Sequence, residues 1–240
     1  MKTFKLHLIR HGLTEGNLNG IYMGSGLDLP LCERGKQEII ALRAKFDYPQ
    51  VNTVFCSPLL RATQTADILY PDAKKLVIED LKETNFGEFE GQPAAQLVHN
   101  ENFKKWLDPK SNFTPQGGES GADFGKRTGA ALMRMFEFMI KSGLHEAACI
   151  THGGVIMSML SQHALPPRSA EQWLCDNGCG YTLLCTPSMW MRDDLAEAIA
   201  IVPEGYVRLT KVQNDDDEVV KKLASEPVPD FEHDPDRLKF

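Results

Sequence analysis

No run of consecutive apolar residues approaches the roughly 20 needed to cross a bilayer as a helix, and this excludes such a span from the chain. Basic charge is in deficit. The 26 Lys and Arg residues stand against 33 Asp and Glu, for a formal net charge of −7. That balance argues against general binding to nucleic acid or to an anionic membrane, both of which need a basic surface. It does not forbid a local basic pocket. Cys-x-x-Cys pairs are missing, and Cys175 and Cys179 have no nearby His to complete a zinc pattern. Cys56 and Cys149 lie in apolar runs and read as core thiols, and with Cys32 and Cys185 all six cysteines are expected as free thiols. No basic start followed by an apolar stretch marks a secretory signal, so the protein is expected to be cytoplasmic and soluble. Internal repeats are absent, as is any Pro- or Ser-rich linker between two cores.

What is present is an α/β pattern. Phe4–Ile9, Thr53–Cys56, Leu76–Ile78 and Ala147–Ile150 read as short buried strands, followed late in the chain by Tyr181–Cys185 and Tyr206–Val212. Between them Glu33–Phe46 has helical spacing. Ser57 and Pro58 read as N-cap and first residue of a helix running to Leu69. The strongest helix is expected over about Gly121–Lys141. Ser120 to Asp123 resembles a capping box and Gly143 is a stop. Val155–His163 reads as the next helix, and Met189–Ile201 as an extra one. Alternating strands and helices predict a three-layer α/β/α sandwich with a mostly parallel central sheet. One domain over residues 1–212 is expected, with residues 84–118 as a lid or insertion holding a short helix near Ala94–Trp106. Residues 213–240 form a polar acidic tail.

Chemistry-bearing residues fall just past strands. Arg10-His11-Gly12 ends the first, Ser57 follows the second, and Thr151-His152-Gly153-Gly154 ends the fourth. In an open α/β sheet, ligands bind beyond the carboxyl ends of strands, so these distant residues can converge. Arg10 and Arg61 offer forked donors that match phosphate oxygens. Backbone N–H groups at such turns, Gly153 among them, suit an anion. An imidazole whose second nitrogen is held by an acceptor presents a free lone pair, which makes His11 a candidate nucleophile and His152 a donor to the phosphoryl oxygens. A leaving alkoxide needs a proton; Glu83, Glu88 and Glu90 all qualify, and spacing does not choose among them. His7, His99, His145, His163 and His233 read as ordinary core or surface residues. The lid from Pro93 to Pro115, with Phe103, Lys104, Lys105 and Trp106, is expected to shape the leaving-group pocket, and Lys104 and Lys105 read either as a solvated helix face or as contacts to a second anionic group.

Taken together these segments resemble the histidine phosphatase (phosphoglycerate mutase-like) superfamily. Arg10-His11-Gly12 with Thr14 and Asn17 is similar to its opening signature, and Gly26 to Leu31, Gly35 and Gln37 continue the match. Ser57 to Ala66, Glu83 to Gly91, Gly117 to Ser120 and Thr151 to Gly154 follow in the family's order. The resemblance runs from about Leu8 to Leu160. It implies that His11 is phosphorylated, that Arg10, Arg61, His152 and Asn17 contact the phosphoryl group, and that Glu83 is the proton donor. No metal and no cofactor is implied. Thr84 to Gly91 departs from the Arg-His-Tyr-Gly that usually follows the acid in the mutases, and is similar to the phosphatase branch with its α-ribazole phosphatase-like and broad-specificity members. The expectation is a histidine acid phosphatase-type phosphomonoesterase acting on a small-molecule phosphate ester. It would bind neither nucleic acid nor membrane, and would be a monomer or homodimer. The alternatives are a mutase of the phosphoglycerate type and a non-catalytic anion- or phosphoprotein-binding module.

Overall fold

Among the described residues seven strands make one sheet: β1 (Phe4–Arg10), β2 (Thr53–Cys56), β3 (Lys74–Val77), β4 (Glu146–Thr151), β5 (Ala164–Leu165), β6 (Gly180–Cys185) and β7 (Ala196–Val202). The computed structural model describes residues 2–108 and 111–207. Strand order is β3-β2-β4-β1-β6-β7-β5. β6 alone runs against its neighbours, and the other pairings are parallel. Helices α1 (Glu15–Leu18), α2 (Glu33–Lys45), α3 (Leu60–Leu69), α4 (Ala94–Leu97), α5 (Glu101–Leu107), α6 (Gly121–Ser142), α7 (Gly153–His163) and α8 (Pro187–Asp193) connect them. No helix among the described residues is long and apolar enough to cross a membrane.

Successive residues of a strand face opposite sides, and the central strands use both faces. Leu6 and Leu8 of β1, Phe55 of β2 and Cys149 of β4 pack with Leu132 and Phe136 of α6 and with Ile156 and Leu160 of α7. Ile9, Val54, Cys56 and Ile150 face the other way, onto Ile39 of α2 and Ala62 and Ala66 of α3. This is the three-layer sandwich expected from the sequence. Each fully buried Leu or Ile contributes about 1.5–3 kcal/mol of transfer free energy. All six cysteines are buried.

α6 starts where Ser120 Oγ accepts from Asp123 N–H at 3.0 Å. The Ser120 hydroxyl donates in turn to the Asp123 carboxylate at 2.7 Å, so only half of a reciprocal capping box forms. The helix stops where Gly143 adopts a left-handed φ of 67°, a conformation nearly free for glycine and costly for a residue with Cβ.

Four expectations need correction. The helix after β2 begins at Leu60 rather than Pro58, because Ser57 turns inward to a histidine and Asp28 Oδ1 takes the Leu60 N–H instead (2.8 Å). The stretch Met189–Ile201 divides into the end of α8 and most of β7: Asp194 takes a left-handed φ of 53°, ending the helix, and the following alternation pairs with β6. The helix near Ala94–Trp106 is two short ones, since Asn100 caps a fresh start by accepting from Asn102 and Phe103. Of the strand expected over Tyr206–Val212, Tyr206 and Val207 are not in a strand; the remainder and the acidic tail lie outside the described residues.

Candidate active site

Strand register assembles the site. Parallel pairing sets Arg10 opposite Thr151, and His11 N–H donates to Thr151 O at 2.9 Å. Cys56 of β2 sits opposite Ile150, and Ser57 N–H donates to Ile150 O at 3.0 Å. His11, Ser57 and His152 therefore leave three adjacent strands at one level. The rings of His11 and His152 have centroids 5.1 Å apart, tilted by 59°.

Hydrogen bonds fix both tautomers. His11 Nδ1 lies 2.7 Å from Gly12 O; a carbonyl only accepts, so the proton is on Nδ1 and the Nε2 lone pair is free. His152 is the reverse. Arg61 Nε donates to its Nδ1 at 3.2 Å, which leaves the proton on Nε2, donated to Ser57 Oγ at 2.8 Å. Burial first, and then the charges of Arg61 and Arg10, hold His11 well below the ordinary imidazole range. Burial, His11 and the same guanidiniums do likewise for His152. Both rings are neutral at physiological pH.

The guanidiniums are aimed by carbonyls. Arg61 is fully buried; its Nη1 donates to Leu27 O at 3.0 Å and its Nη2 to Gly24 O at 2.8 Å. Arg10 Nη1 donates to Cys175 O at 2.8 Å, while its Nε is buried without a protein acceptor. A Cβ on Gly153 would lie 3.4 Å from that Nε, so the guanidinium rests against the start of α7. An unmatched buried N–H beside a second guanidinium and a helix N-terminus is a place for an anion.

Glu83 is nearly buried, and its Oε2 accepts from Gly154 N–H at 2.9 Å while Oε1 accepts from Thr84 N–H at 3.0 Å. Burial raises its pKa above the usual carboxylate range, against the opposing pull of those N–H bonds and of Arg61 and Arg10. Glu88 and Glu90, left open by spacing, are occupied elsewhere. Glu90 receives the backbone N–H groups of Gly24, Gly26 and Phe86 at 2.8–3.0 Å, and Glu88 receives that of Gln116 at 3.2 Å. Asn17 stands in its own turn: its Oδ1 accepts from the Thr14 N–H (3.2 Å) and hydroxyl (2.9 Å), which directs the NH2 away from Thr14.

The structure thus brings together His11, His152, Arg10, Arg61, Glu83 and Gly153, whereas Asn17's hydrogen bonds stay local. Sequence reading did not single out the supports. Thr65 Oγ1 accepts from Gly12 N–H at 2.9 Å and Asn177 Nδ2 donates to His11 O at 2.8 Å. Arg127 holds the carbonyls of Asp80 (2.9 Å), Lys82 (2.8 Å) and Glu83 (3.1 Å) while pairing with Glu119 at 2.6 and 2.8 Å. Ser57 carried a signal, its place after a strand; Arg127 and Asn177 carried none. Among the described residues, no cluster of three or more His, Cys, Asp or Glu side chains is arranged to hold a metal.

Three proteins similar in sequence are phosphatases by name. The chain is 27% identical over 201 residues to the adenosylcobalamin/alpha-ribazole phosphatase of Salmonella typhimurium, covering 82% of this chain and 93% of that protein. It is 30% identical over 172 residues to fructose-2,6-bisphosphatase TIGAR B of Danio rerio, covering 69% and 63% respectively. To putative phosphoserine phosphatase 2 of Hydrogenobacter thermophilus it is 31% identical over 163 residues, covering 65% of this chain and 76% of that one. In fold it is similar to a putative alpha-ribazole-5'-P phosphatase from Escherichia coli (TM-score 0.67, 24% identity, covering 82% and 95%) and to a phosphoglycerate mutase from Bacillus anthracis (TM-score 0.65, 20%, covering 83% and 92%). The sequence model of the histidine phosphatase superfamily (branch 1) matches residues 6–196, and the chain belongs to that superfamily.

Proposed function

We propose that the protein hydrolyses a phosphomonoester of a small metabolite through a phosphohistidine on His11. The observation that carries this reading is the pair of opposed tautomers: a His11 ring with its Nε2 lone pair free lies beside a His152 ring protonated on Nε2, with ring centroids 5.1 Å apart.

In the first step His11 Nε2 attacks phosphorus. The bond to the alcohol oxygen breaks, its electron pair goes to that oxygen, and Glu83 supplies the proton, leaving an alcohol and a carboxylate. Arg10, Arg61 and the N–H of Gly153 take the phosphoryl oxygens; Asn17 is a further donor only by resemblance to the superfamily's opening signature. His152 Nε2–H shifts from Ser57 to the oxygen gaining charge. Preorganised donors of this kind act strongly where water is excluded. In the second step water attacks phosphorus, Glu83 accepts its proton, the N–P bond breaks and His11 is restored. Two guanidiniums supply the positive charge that a metal provides in other phosphatases.

The relatives' names span three quite different leaving groups, so they support the reaction and not one substrate. The buried free thiols of Cys32, Cys56, Cys149, Cys179 and Cys185 support a cytoplasmic setting.

The test is turnover of p-nitrophenyl phosphate in the presence of a chelator. The wild type should turn over, and His11→Ala should lose essentially all activity. Brief exposure to labelled phosphomonoester followed by quenching should trap an acid-labile, base-stable adduct on the wild type only. Undiminished turnover by His11→Ala removes His11 from its role. Isomerisation of 3-phosphoglycerate primed by 2,3-bisphosphoglycerate, faster than hydrolysis, would make the chain a mutase. No turnover and no adduct would leave a binding module.

A further inference from the structure

A cavity of about 740 Å³ meets the phosphoryl cluster at Glu83 and Gly154 and extends away from it. Its walls include Phe86 and Trp106 from the excursion over residues 84–118, and Phe124 and Met157 from α6 and α7. The two excursion aromatics are held in place. Their ring centroids are 5.3 Å apart at 75°, Tyr22 lies 5.4 Å from Phe86, and Phe103 lies 5.7 Å from Trp106. Rings locked by their neighbours present flat apolar surface without losing rotamer freedom when a ligand arrives.

Charge is scarce in this cavity. Glu119 in its wall is matched bidentately by Arg127. Among the described residues lining it, Lys126 is the one cationic side chain, and it is exposed. A second phosphate needs a forked or paired cation of the kind that Arg10 and Arg61 give the first, and none of the described lining residues repeats that arrangement. The proton donor faces this space, so the cavity is where the departing alcohol goes. Its volume suits a drug-sized group, far more than a three-carbon chain fills.

Building on the phosphatase reading, we infer that the substrate's alcohol part carries a flat, uncharged ring system seated against Trp106 and Phe86, and that Trp106 sets the preference for it. Small acyclic alcohols and alcohols bearing a second phosphate are disfavoured.

The experiment compares kcat/KM for esters of similar primary alcohols, which keeps leaving-group chemistry nearly constant: 2-(naphthalen-1-yl)ethyl phosphate, propyl phosphate and propane-1,3-diyl bisphosphate. The ring ester should exceed the other two by roughly tenfold or more, the scale of one ring stacked on an aromatic side chain. Trp106→Ala should remove about tenfold from the ring ester and leave propyl phosphate within about twofold. Ser161→Trp gives an independent reading. Ser161 is an exposed lining residue on α7, apart from the aromatic cluster, and a bulky ring there should crowd the cavity and produce the same selective loss even if Trp106→Ala fails to fold. A trapped phosphohistidine with no preference for the ring ester, or with preference for the bisphosphate, overturns this inference and leaves the phosphatase reading intact. Equal losses on ring and propyl esters in Ser161→Trp also overturn it. No adduct and no turnover of any ester removes both.

Discussion

Arg61 Nε donates to Nδ1 of His152 at 3.2 Å, with neither residue exposed to solvent. One contact therefore both orients a guanidinium and settles which nitrogen of His152 is protonated. Lysine cannot replace it: a single ammonium does not reach His152, Leu27 O and Gly24 O together. Arg61→Lys should lower kcat/KM by about a hundredfold or more, since the variant loses a charged donor and frees the tautomer of a second. Stranding buried acceptors should also cost about 1–3 kcal/mol. Steady-state kinetics and urea unfolding measure the two effects, and imidazole 15N shifts report the tautomer. Wild-type activity in Arg61→Lys would refute the assignment.

Burial of Glu83 has a pH signature. Its folded pKa is raised, so the stability its protonated form contributes is fully present below the unfolded value near 4.5. That contribution is lost as pH rises through the raised folded value, where a buried carboxyl must ionise. Glu83→Gln should flatten this loss and be more stable than the wild type on the alkaline side, while the wild-type rate falls there as the proton donor is lost. His11 and His152 act at the other end. Their folded pKa values lie well below 6.5, so an unfolded chain takes up these protons first, and stability drops as pH falls through about 6.5. Unfolding midpoints against pH for wild type, His11→Ala and Glu83→Gln would separate the two limbs.

Gly154 is glycine for lack of room. A Cβ there would lie 2.5 Å from Glu83 Oε1, inside any tolerated contact. Gly154→Ala should push the carboxyl off its backbone donor while α7 stays formed, because alanine favours the helix by about 1 kcal/mol over glycine. The expected result is a fall in kcat of about ten- to a hundredfold, since misplacing a proton donor by about an ångström has that scale. Far-UV circular dichroism should be unchanged. Full activity would mean that Glu83 does not act from this position.

The parts legible in the sequence were those that short-range pattern controls. Apolar runs bounded by turn residues marked the central strands, and the residues just beyond them, His11, Ser57 and His152, sit where the parallel register puts them together. Periodicity and a terminal glycine marked α6. What pattern does not control was missed. Asp28, remote in sequence, takes the N–H that caps α3, so the start of that helix shifted by two residues. β7 owes its pairing to β6, and its composition reads equally well as a helix continuing from α8. Glu83, Glu88 and Glu90 differ only in what surrounds them in space, so spacing could not rank them. Arg127 reaches its partners across 44 to 47 residues, a relationship with no local signature.

That last residue offers the sharpest test of how Glu83 is held. Arg127 grips three carbonyls, those of Asp80, Lys82 and Glu83, and Glu119 neutralises it from behind. It touches no reacting atom in the proposed chemistry and acts by fixing the chain on which the acid is mounted. Arg127→Gln should leave Glu119 half-buried without its partner and loosen residues 80–83, costing about 2–4 kcal/mol. A purely structural role would stop there. A positioning role also predicts that kcat falls more than KM rises, because substrate phosphate still binds Arg10 and Arg61. The alkaline limb of the pH–rate profile should then move toward the ordinary carboxylate range as water reaches Glu83 and relieves its desolvation. Arg127→Lys, which keeps the charge and at most part of the grip, should lie between. Should the variants lose stability with the pH–rate profile unmoved, Arg127 braces the fold and does not tune the acid.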